Sequence, residues 1–282
     1  MRTETAAWMV GLTAACCALA GAASLSQPEK RELPKPPPAP LGVAVIELFT
    51  SEGCSSCPSG DDLAAKLARE AKEQGKPVFV LAMHVDYWDY LGWKDPFAQS
   101  VFTKRQRAYA AALGKAGGNG GVFTPEMVVN GSEGFTGSDE RLARRAIERS
   151  IIDATRLKVE PSIATRKSGE PVRVRAKVMG DTRWTMVNAA IVEDGISLDV
   201  KAGENAGRTL KHDRVVRAFG QSSAKEEGVE IELKLPVGTK EERCRVVVFV
   251  QDEKTMRISG AAEIPLETVV STQPTPALAP AK

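Results

Sequence analysis

Two cysteines separated by two residues stand where an apolar segment meets a helical pattern, and this junction restricts the fold more than any other part of the chain. Residues 41–49 (LGVAVIELF) are β-branched and apolar enough for a buried strand, and residues 58–74 carry apolar side chains at helical spacing. Cys54 and Cys57 lie between the two. A cysteine at the start of a helix faces unpaired backbone N–H groups and the positive end of the helix dipole, which favour the thiolate. If the dithiol is reactive, this position predicts Cys54 as the nucleophile.

The segment after this junction continues in an alternating α/β pattern. Residues 77–83 (PVFVLAM) form a second apolar run, and a strand, a helix and a strand of these lengths predict a parallel pair. A helix is predicted over 97–113, a short strand after Thr124-Pro125, and a closing helix over 138–151. We expect an α/β domain with a mixed sheet over residues 41–153.

The C-terminal part has the pattern of strands. Residues 172–178 and 229–235 alternate between apolar and charged side chains, which predicts strands with one wet face, and residues 251–264 predict a hairpin. An all-β, antiparallel, sandwich-like domain is therefore expected over residues 154–270. His212 and Asp213 are interpreted as a solvated strand face, and Cys244 as a small buried apolar residue.

Both ends of the chain differ from these two segments. Residues 1–22 combine a short polar start, an apolar alanine-rich run and an A-x-A site, which predicts a secretory signal peptide; an uncleaved membrane anchor is the alternative. Residues 23–40 form a proline-rich linker, and residues 271–282 a tail that we expect to be disordered. The protein is thus expected to be periplasmic or secreted.

Charge and glycine content exclude some function classes. Lysine and arginine number 38 and aspartate and glutamate 36, without a block of like charge, so nucleic acid is not expected as a partner. Membrane contact is expected only if the N-terminal segment stays uncleaved. The glycine-rich stretch at 114–121 lacks the preceding strand and the following Lys-Ser/Thr of a phosphate loop, and no cofactor is expected.

Three ordered blocks carry a resemblance to known proteins. The strand–CSSC–helix unit, the second strand and the later Thr-Pro resemble a thioredoxin fold. The blocks ELFTSEGCSSCP, HVDYWDYLGWKDPF and FTPEMVVNG are similar to a family of bacterial secreted proteins of unassigned function, domain-of-unknown-function family 1223. The resemblance implies an α/β thioredoxin-like domain with flanking helices, followed by the β domain.

The thioredoxin resemblance also implies site residues. Thr124-Pro125 would be a cis peptide packed against the CxxC, with Pro125 and the Thr124 backbone forming one wall of a substrate groove. Glu47, on the strand before the CxxC, would be a buried acid that takes a proton from Cys57. Glu52, Asp61 and Asp62 are interpreted instead as loop and helix-start acids that complement the helix dipole.

Three interpretations of the dithiol remain. In the first, an exposed Cys54 attacks the thiols or disulfides of other proteins and Cys57 resolves the mixed disulfide, as in a thiol–disulfide oxidoreductase. In the second, Cys54, Cys57 and His84 hold a soft ion such as Cu(I). In the third, the cysteines form an inert structural disulfide in an interaction protein.

A dense aromatic block follows the second strand. HVDYWDYLGWKDPF, residues 84–97, contains five aromatic residues within fourteen positions, and these rings either cap a core or line an apolar groove. His84 and Asp86 are candidates for a proton relay or for metal ligation, or are ordinary structural residues.

Overall fold

The fold is taken from a computed structural model that describes residues 42–114, 121–153, 157–164, 166–167 and 169–266. The predicted signal peptide, the linker, most of the glycine-rich stretch and the C-terminal tail lie outside these residues. Among the described residues, no helix has the length and apolar character needed to cross a membrane.

An eight-stranded mixed sheet forms the centre of the described structure. Its strand order is β13-β12-β7-β10-β2-β1-β3-β4. The members are β1 (Ala44–Thr50), β2 (Val78–His84), β3 (Glu126–Val129), β4 (Glu133–Thr136), β7 (Thr185–Glu193), β10 (Val215–Ser223), β12 (Cys244–Asp252) and β13 (Ile258–Pro265).

The N-terminal part builds one end of this sheet. β1 runs parallel to β2 and antiparallel to β3, as the strand–helix–strand pattern predicts for the first pair. Helix α1 (Cys57–Glu73) and helix α3 (Glu140–Ile152) pack on one face through an apolar cluster that includes Ile46, Leu48 and Leu67. Helix α2 (Ser100–Leu113) covers the opposite face, where Val45 and Phe49 point.

A second sheet packs on the other end of the large one. It has three antiparallel strands in the order β11-β6-β5, with β5 at Lys158–Ile163, β6 at Val172–Met179 and β11 at Val229–Leu233. Buried and exposed residues alternate strictly along β6 up to Val178 and along β11, which confirms the predicted wet face. The buried side chains form one core with those of β7 and β12.

The N- and C-terminal parts share the large sheet. β10 runs parallel beside β2 with Val215 opposite Ala82, and the Ala82 N–H donates to the Arg214 carbonyl at 2.9 Å. The described residues belong to one compact unit. The boundary predicted at residue 153 therefore cuts across a single sheet, because local patterns identify strands but not the sheet that each strand joins. A mixed α/β fold with additional antiparallel strands is what the structure supports.

A small hairpin outside both sheets reaches toward the CxxC turn. It consists of β8 (Ile196–Asp199) and β9 (Thr209–His212), and β9 packs against α1. The loop between its strands carries the residues that cover the dithiol.

Candidate dithiol site

The CxxC forms the tight connection between β1 and α1. Cys54 lies in the turn and Cys57 is the first residue of α1, with Pro58 in the first helical turn, where its missing N–H leaves no bond unmade. Both cysteines are free thiols. Cys54 is 1% exposed and Cys57 0% exposed, so the expectation of an exposed Cys54 is wrong in this conformation.

The two thiols differ sharply in acidity. Cys54 Sγ lies 3.3 Å from Ser56 Oγ and 3.8 Å from the Thr124 carbonyl oxygen. Hydrogen bonds from the Cys57 thiol and then from Ser56 and Thr124 outweigh burial and lower the pKa of Cys54 to about 6. Burial and the neighbouring Cys54 raise the pKa of Cys57 far above that of an ordinary thiol. The arrangement therefore favours a thiolate at Cys54 and a protonated thiol at Cys57 near neutral pH.

Thr124-Pro125 lies beside the dithiol, as the thioredoxin resemblance implies. The peptide bond is cis. The Trp88 indole N–H donates to Thr124 Oγ1 at 2.8 Å, which fixes the Thr124 side chain. A Cβ on Gly60 of α1 would lie 2.8 Å from Pro125 Cβ, so only glycine lets the helix approach the proline this closely.

The loop between β8 and β9 covers the CxxC turn from outside. Asn205, which is fully buried, donates from Nδ2 to the backbone carbonyls of Glu52 and Cys54, each at 2.8 Å. The Glu204 carboxylate accepts from the Ser55 N–H and the Ser55 hydroxyl, each at 2.8 Å. Residues 203–205 of this loop are the covering segment, which holds the backbone of the CxxC turn.

Glu47 does not serve the dithiol in the way that the thioredoxin resemblance implies. It lies on the same face of β1 as Val45 and Phe49, opposite the face that packs against α1 and Cys57. Its carboxylate is ion-paired with Arg105 of α2 and accepts from the Tyr109 hydroxyl. The sequence predicted a buried acid but not the face of the sheet, because one residue more or less in the following loop changes which strand position faces the helix.

The aromatic block contributes both cover and polar contacts. Phe97 is buried, whereas Tyr90 is 78% exposed. Trp88 contacts Thr124 as described, and the Trp93 indole donates to Glu52 Oε2 at 2.8 Å. Asp86 is held by the Thr103 hydroxyl at 2.6 Å. The block therefore packs around the dithiol and mainly caps the core.

A buried cluster of five titratable side chains lies on the face of the sheet covered by α1. His84 Nδ1 lies 2.7 Å from Asp95 Oδ2, and His212 Nε2 lies 3.0 Å from Glu52 Oε1. The two imidazole rings meet edge to face at 5.2 Å between centroids. The fifth member is Asp61, with Oδ2 at 3.9 Å from His212 Nδ1.

The sequence interpretation of this cluster is corrected at three residues. Asp61 and Glu52 are not solvated dipole-complementing acids, because their side chains are 9% and 0% exposed, and His212 is 4% exposed rather than on a wet strand face. Two signals were present in the sequence. His212 lies two residues after Leu210 on the same strand, so both side chains point to the buried face. Asp61 lies four residues after Cys57, on the helix face that also carries Ala64.

The metal interpretation gains no support from this geometry. Within the described ranges, no group of three or more histidine, cysteine, aspartate or glutamate side chains is arranged to hold a metal ion. His84, the third ligand of the copper-type hypothesis with Cys54 and Cys57, directs Nδ1 to Asp95 instead.

Fold and site together define a mixed α/β protein with a buried, asymmetric CxxC dithiol at a strand–helix junction. Residues 45–251 match the model of a family described as "Protein of unknown function (DUF1223)", and the chain belongs to this family. Its fold is similar to the crystal structure of protein AGR_C_4864 from Agrobacterium tumefaciens, with 27% sequence identity and a TM-score of 0.55. That similarity covers 83% of this chain and 98% of the other. No curated protein gave a significant match.

Proposed function

We propose that this chain is an exported thiol–disulfide oxidoreductase on a thioredoxin-like core, with a β-sandwich-like C-terminal part. Cys54 is the nucleophile and Cys57 the resolving thiol. The observation that carries the proposal is the unequal placement of two free thiols: Cys54 lies in the turn, 3.3 Å from Ser56 Oγ and beside the cis Thr124-Pro125 bond, whereas Cys57 is fully buried at the start of α1. In this arrangement the pKa of Cys54 is lowered to about 6 and that of Cys57 is raised. A structural disulfide has no need of such an asymmetry, whereas exchange uses a thiolate at one cysteine and a protonated thiol at the other.

The reaction runs in two exchange steps. The Cys54 thiolate attacks one sulfur of a substrate disulfide, forms a mixed disulfide and releases the other substrate sulfur as a thiolate. Cys57 then loses its proton, attacks Cys54 Sγ and releases the second substrate thiol, so the substrate is reduced by two electrons and the CxxC is oxidised to a disulfide. The reverse sequence oxidises a dithiol substrate.

Protein thiols and disulfides remain the proposed substrates. Ser55 and Ser56 are exposed next to the buried Cys54. The Thr124 carbonyl lies on the other side of the sulfur, which supports a wall made by Thr124 and Pro125. Because the covering segment holds Ser55, we expect it to move when a substrate chain reaches Cys54.

Alkylation as a function of pH tests the proposal. Reduced protein is treated with iodoacetamide, and the modified cysteines are identified by peptide mass mapping. Cys54 is expected to react with a midpoint near pH 6, ahead of Cys57 and of Cys244, whose pKa burial raises to about 12. The Cys57→Ser variant is expected to retain substrate proteins as mixed disulfides through Cys54.

Two results would reject an exchange function. One is slow alkylation of Cys54, without selectivity over Cys244, combined with no trapped mixed disulfide. The other is a CxxC reduction potential below about −300 mV, which is typical of structural disulfides. Either result favours the interaction protein with an inert disulfide.

A further inference from the structure

The position of Asp61 directs attention to the second exchange step. Asp61 lies four residues after Cys57 on α1, and side chains at this spacing are neighbours on one helix face. Its charge contributes to raising the pKa of Cys57. Asp61 is therefore a buried carboxyl group within electrostatic reach of the thiol that must lose its proton.

The groups that face Asp61 come from every element packed around it. Thr50 of β1 and His84 of β2 are direct neighbours in the parallel pair, on the side covered by α1. His212 approaches from β9. Glu52 and Asp95 complete the set, bonded to His212 and His84 respectively.

Three atoms in or next to this cluster have unused hydrogen-bonding capacity. Among the described residues, Thr50 Oγ1, Asp61 Oδ1 and His84 Nε2 are buried without a hydrogen-bond partner. The Thr50 hydroxyl faces Asp61 closely enough to favour the ionised carboxylate, although it falls outside strict hydrogen-bond geometry. Buried polar atoms in proteins are nearly always paired, and the incomplete pairing around Asp61 leaves this carboxyl group free to take up a proton.

We propose that Asp61 accepts the Cys57 proton in the resolving step, and that His84, oriented by Asp95, passes it on. The inference rests on the proposed oxidoreductase function and concerns its second step. The Cys57 S–H bond breaks, the proton moves to the Asp61 carboxylate, and the Cys57 thiolate attacks Cys54 of the mixed disulfide. Glu47 does not fill this role because it lies on the other face of the sheet.

The electrostatic environment suits these assignments. Burial raises the pKa of Asp61, which makes its carboxylate a stronger base than a surface aspartate. Burial disfavours the charged form of His84, but Asp95 and the other nearby carboxylates outweigh it and raise the pKa of the imidazole. The pKa of Asp95 is lowered, since the facing His84 outweighs burial. Asp95 therefore stays ionised and holds the His84 ring while His84 takes and releases protons.

The test separates the two exchange steps with an aromatic disulfide. Reduced full-length protein carrying Cys16→Ser, Cys17→Ser and Cys244→Ser is mixed with 5,5′-dithiobis(2-nitrobenzoate) in a stopped-flow instrument. Attack by Cys54 releases the first thionitrobenzoate, and resolution by Cys57 releases the second. Both rates are measured across pH in this parent and in Asp61→Asn, with Asp62→Asn, an exposed acid on the same helix, as the matched control.

Asp61→Asn is expected to leave the first rate unchanged and to slow the second roughly 10²-fold at neutral pH, the typical contribution of a positioned base. The remaining second rate should rise steadily with pH, whereas the parent and Asp62→Asn should level off above the pKa of Asp61. A merely structural role for Asp61 would not produce this selective change in pH profile.

A second variant covers the case in which Asp61→Asn does not fold. Thr50→Val removes the hydroxyl that favours ionised Asp61, and it is expected to move the midpoint of the second step to higher pH. If Asp61→Asn, or Thr50→Val in its place, keeps the parent's second rate and profile, the inference is overturned while the proposed function stands. If the parent protein itself shows no selective first release of thionitrobenzoate by Cys54, both the inference and the proposed oxidoreductase function fail.

Discussion

Cys57 controls the acidity of Cys54, because its thiol is the main hydrogen-bond partner that lowers the pKa of Cys54 to about 6. Cys57→Ala removes this donor and is expected to raise the pKa of Cys54 by about 1–2 units, the equivalent of a hydrogen bond to a charged group. Cys57→Ser keeps a donor and should shift the pKa less. The alkylation midpoint of Cys54 measures both variants, and equal midpoints for the two would contradict the hydrogen-bond explanation.

Glu126 gives the folded protein a pH dependence of its own. Burial raises its pKa from 4.5 to about 7, and Gln106 Nε2 donates to Oε2 at 2.7 Å. The folded state thus holds the Glu126 proton more tightly than the unfolded chain, so this contribution to stability is complete below about pH 4.5 and is lost as pH rises through about 7.

The Glu126→Gln variant tests the predicted loss of stability with rising pH. The variant is expected to match the parent in urea unfolding at pH 4.5, the ordinary pKa of the carboxyl, and to have the higher free energy of unfolding at pH 8, roughly one unit above the folded pKa. A variant that is less stable than the parent at the higher pH would show that Glu126 is stabilising when ionised.

The β8–β9 hairpin acts as an element that limits access to Cys54. Asn205→Ala removes the side-chain donor to the buried Glu52 carbonyl and one of two donors to the Cys54 carbonyl, which also accepts from the Cys57 N–H at 3.2 Å. The expected cost is roughly 1–3 kcal/mol in the closed arrangement. We expect Cys54 to be alkylated faster in this variant at pH values above its pKa. The rate should increase more for bulky maleimides than for iodoacetamide, because a larger reagent needs more access. Lys201→Ala, which removes an exposed ion pair from the same hairpin, is the control. An unchanged rate in Asn205→Ala would mean that another part of the structure limits access.

At the scale of the whole molecule, the buried Arg105, which is ion-paired with Glu47, links the two parts of the chain. Arg105 also donates to Gln251 of β12 at 2.9 Å, so β1, α2 and β12 meet at one guanidinium group. Arg105→Met leaves the Glu47 charge buried and unpaired, and about 3–5 kcal/mol of stability should be lost.

Urea unfolding followed by tryptophan fluorescence and by far-ultraviolet circular dichroism measures this loss. Because one sheet spans both parts, we expect both probes to report a single transition, shifted as a unit in Arg105→Met. Arg107→Met, on the exposed side of the same helix, should shift little. Two separate transitions would instead support independent domains.

The export prediction depends on the N-terminal residues of the full-length chain, which lie outside the part that the structure describes. The A-x-A site at residues 20–22 predicts that N-terminal sequencing of periplasmic or secreted protein starts near Ala23. Recovery only from membranes, with the first residues retained, would establish an anchor.

Local chemistry was predictable from the sequence where short-range patterns determine it. The junction of β1 and α1 and the alternating strands β6 and β11 follow from spacing and periodicity within short segments, which depend on backbone geometry and on neighbours a few residues apart. The cis Thr124-Pro125 bond beside the CxxC was implied by the thioredoxin resemblance alone, because Thr124 lies 70 positions from Cys54 in the sequence.

The sequence by itself thus determined the three α-helices, the strands β1, β2, β3, β6 and β11, and the dithiol at a helix start, whereas the short strands β4, β5 and β8 were not predicted. Only the tertiary structure decided that β10 pairs with β2, that Glu47 turns away from Cys57, and that Asp61, His84 and His212 meet behind it. The physical reason is that strand pairing and burial of side chains distant in sequence depend on which surfaces meet across the folded chain. No local period records that choice, since the same alternation of buried and exposed residues suits a strand in either sheet.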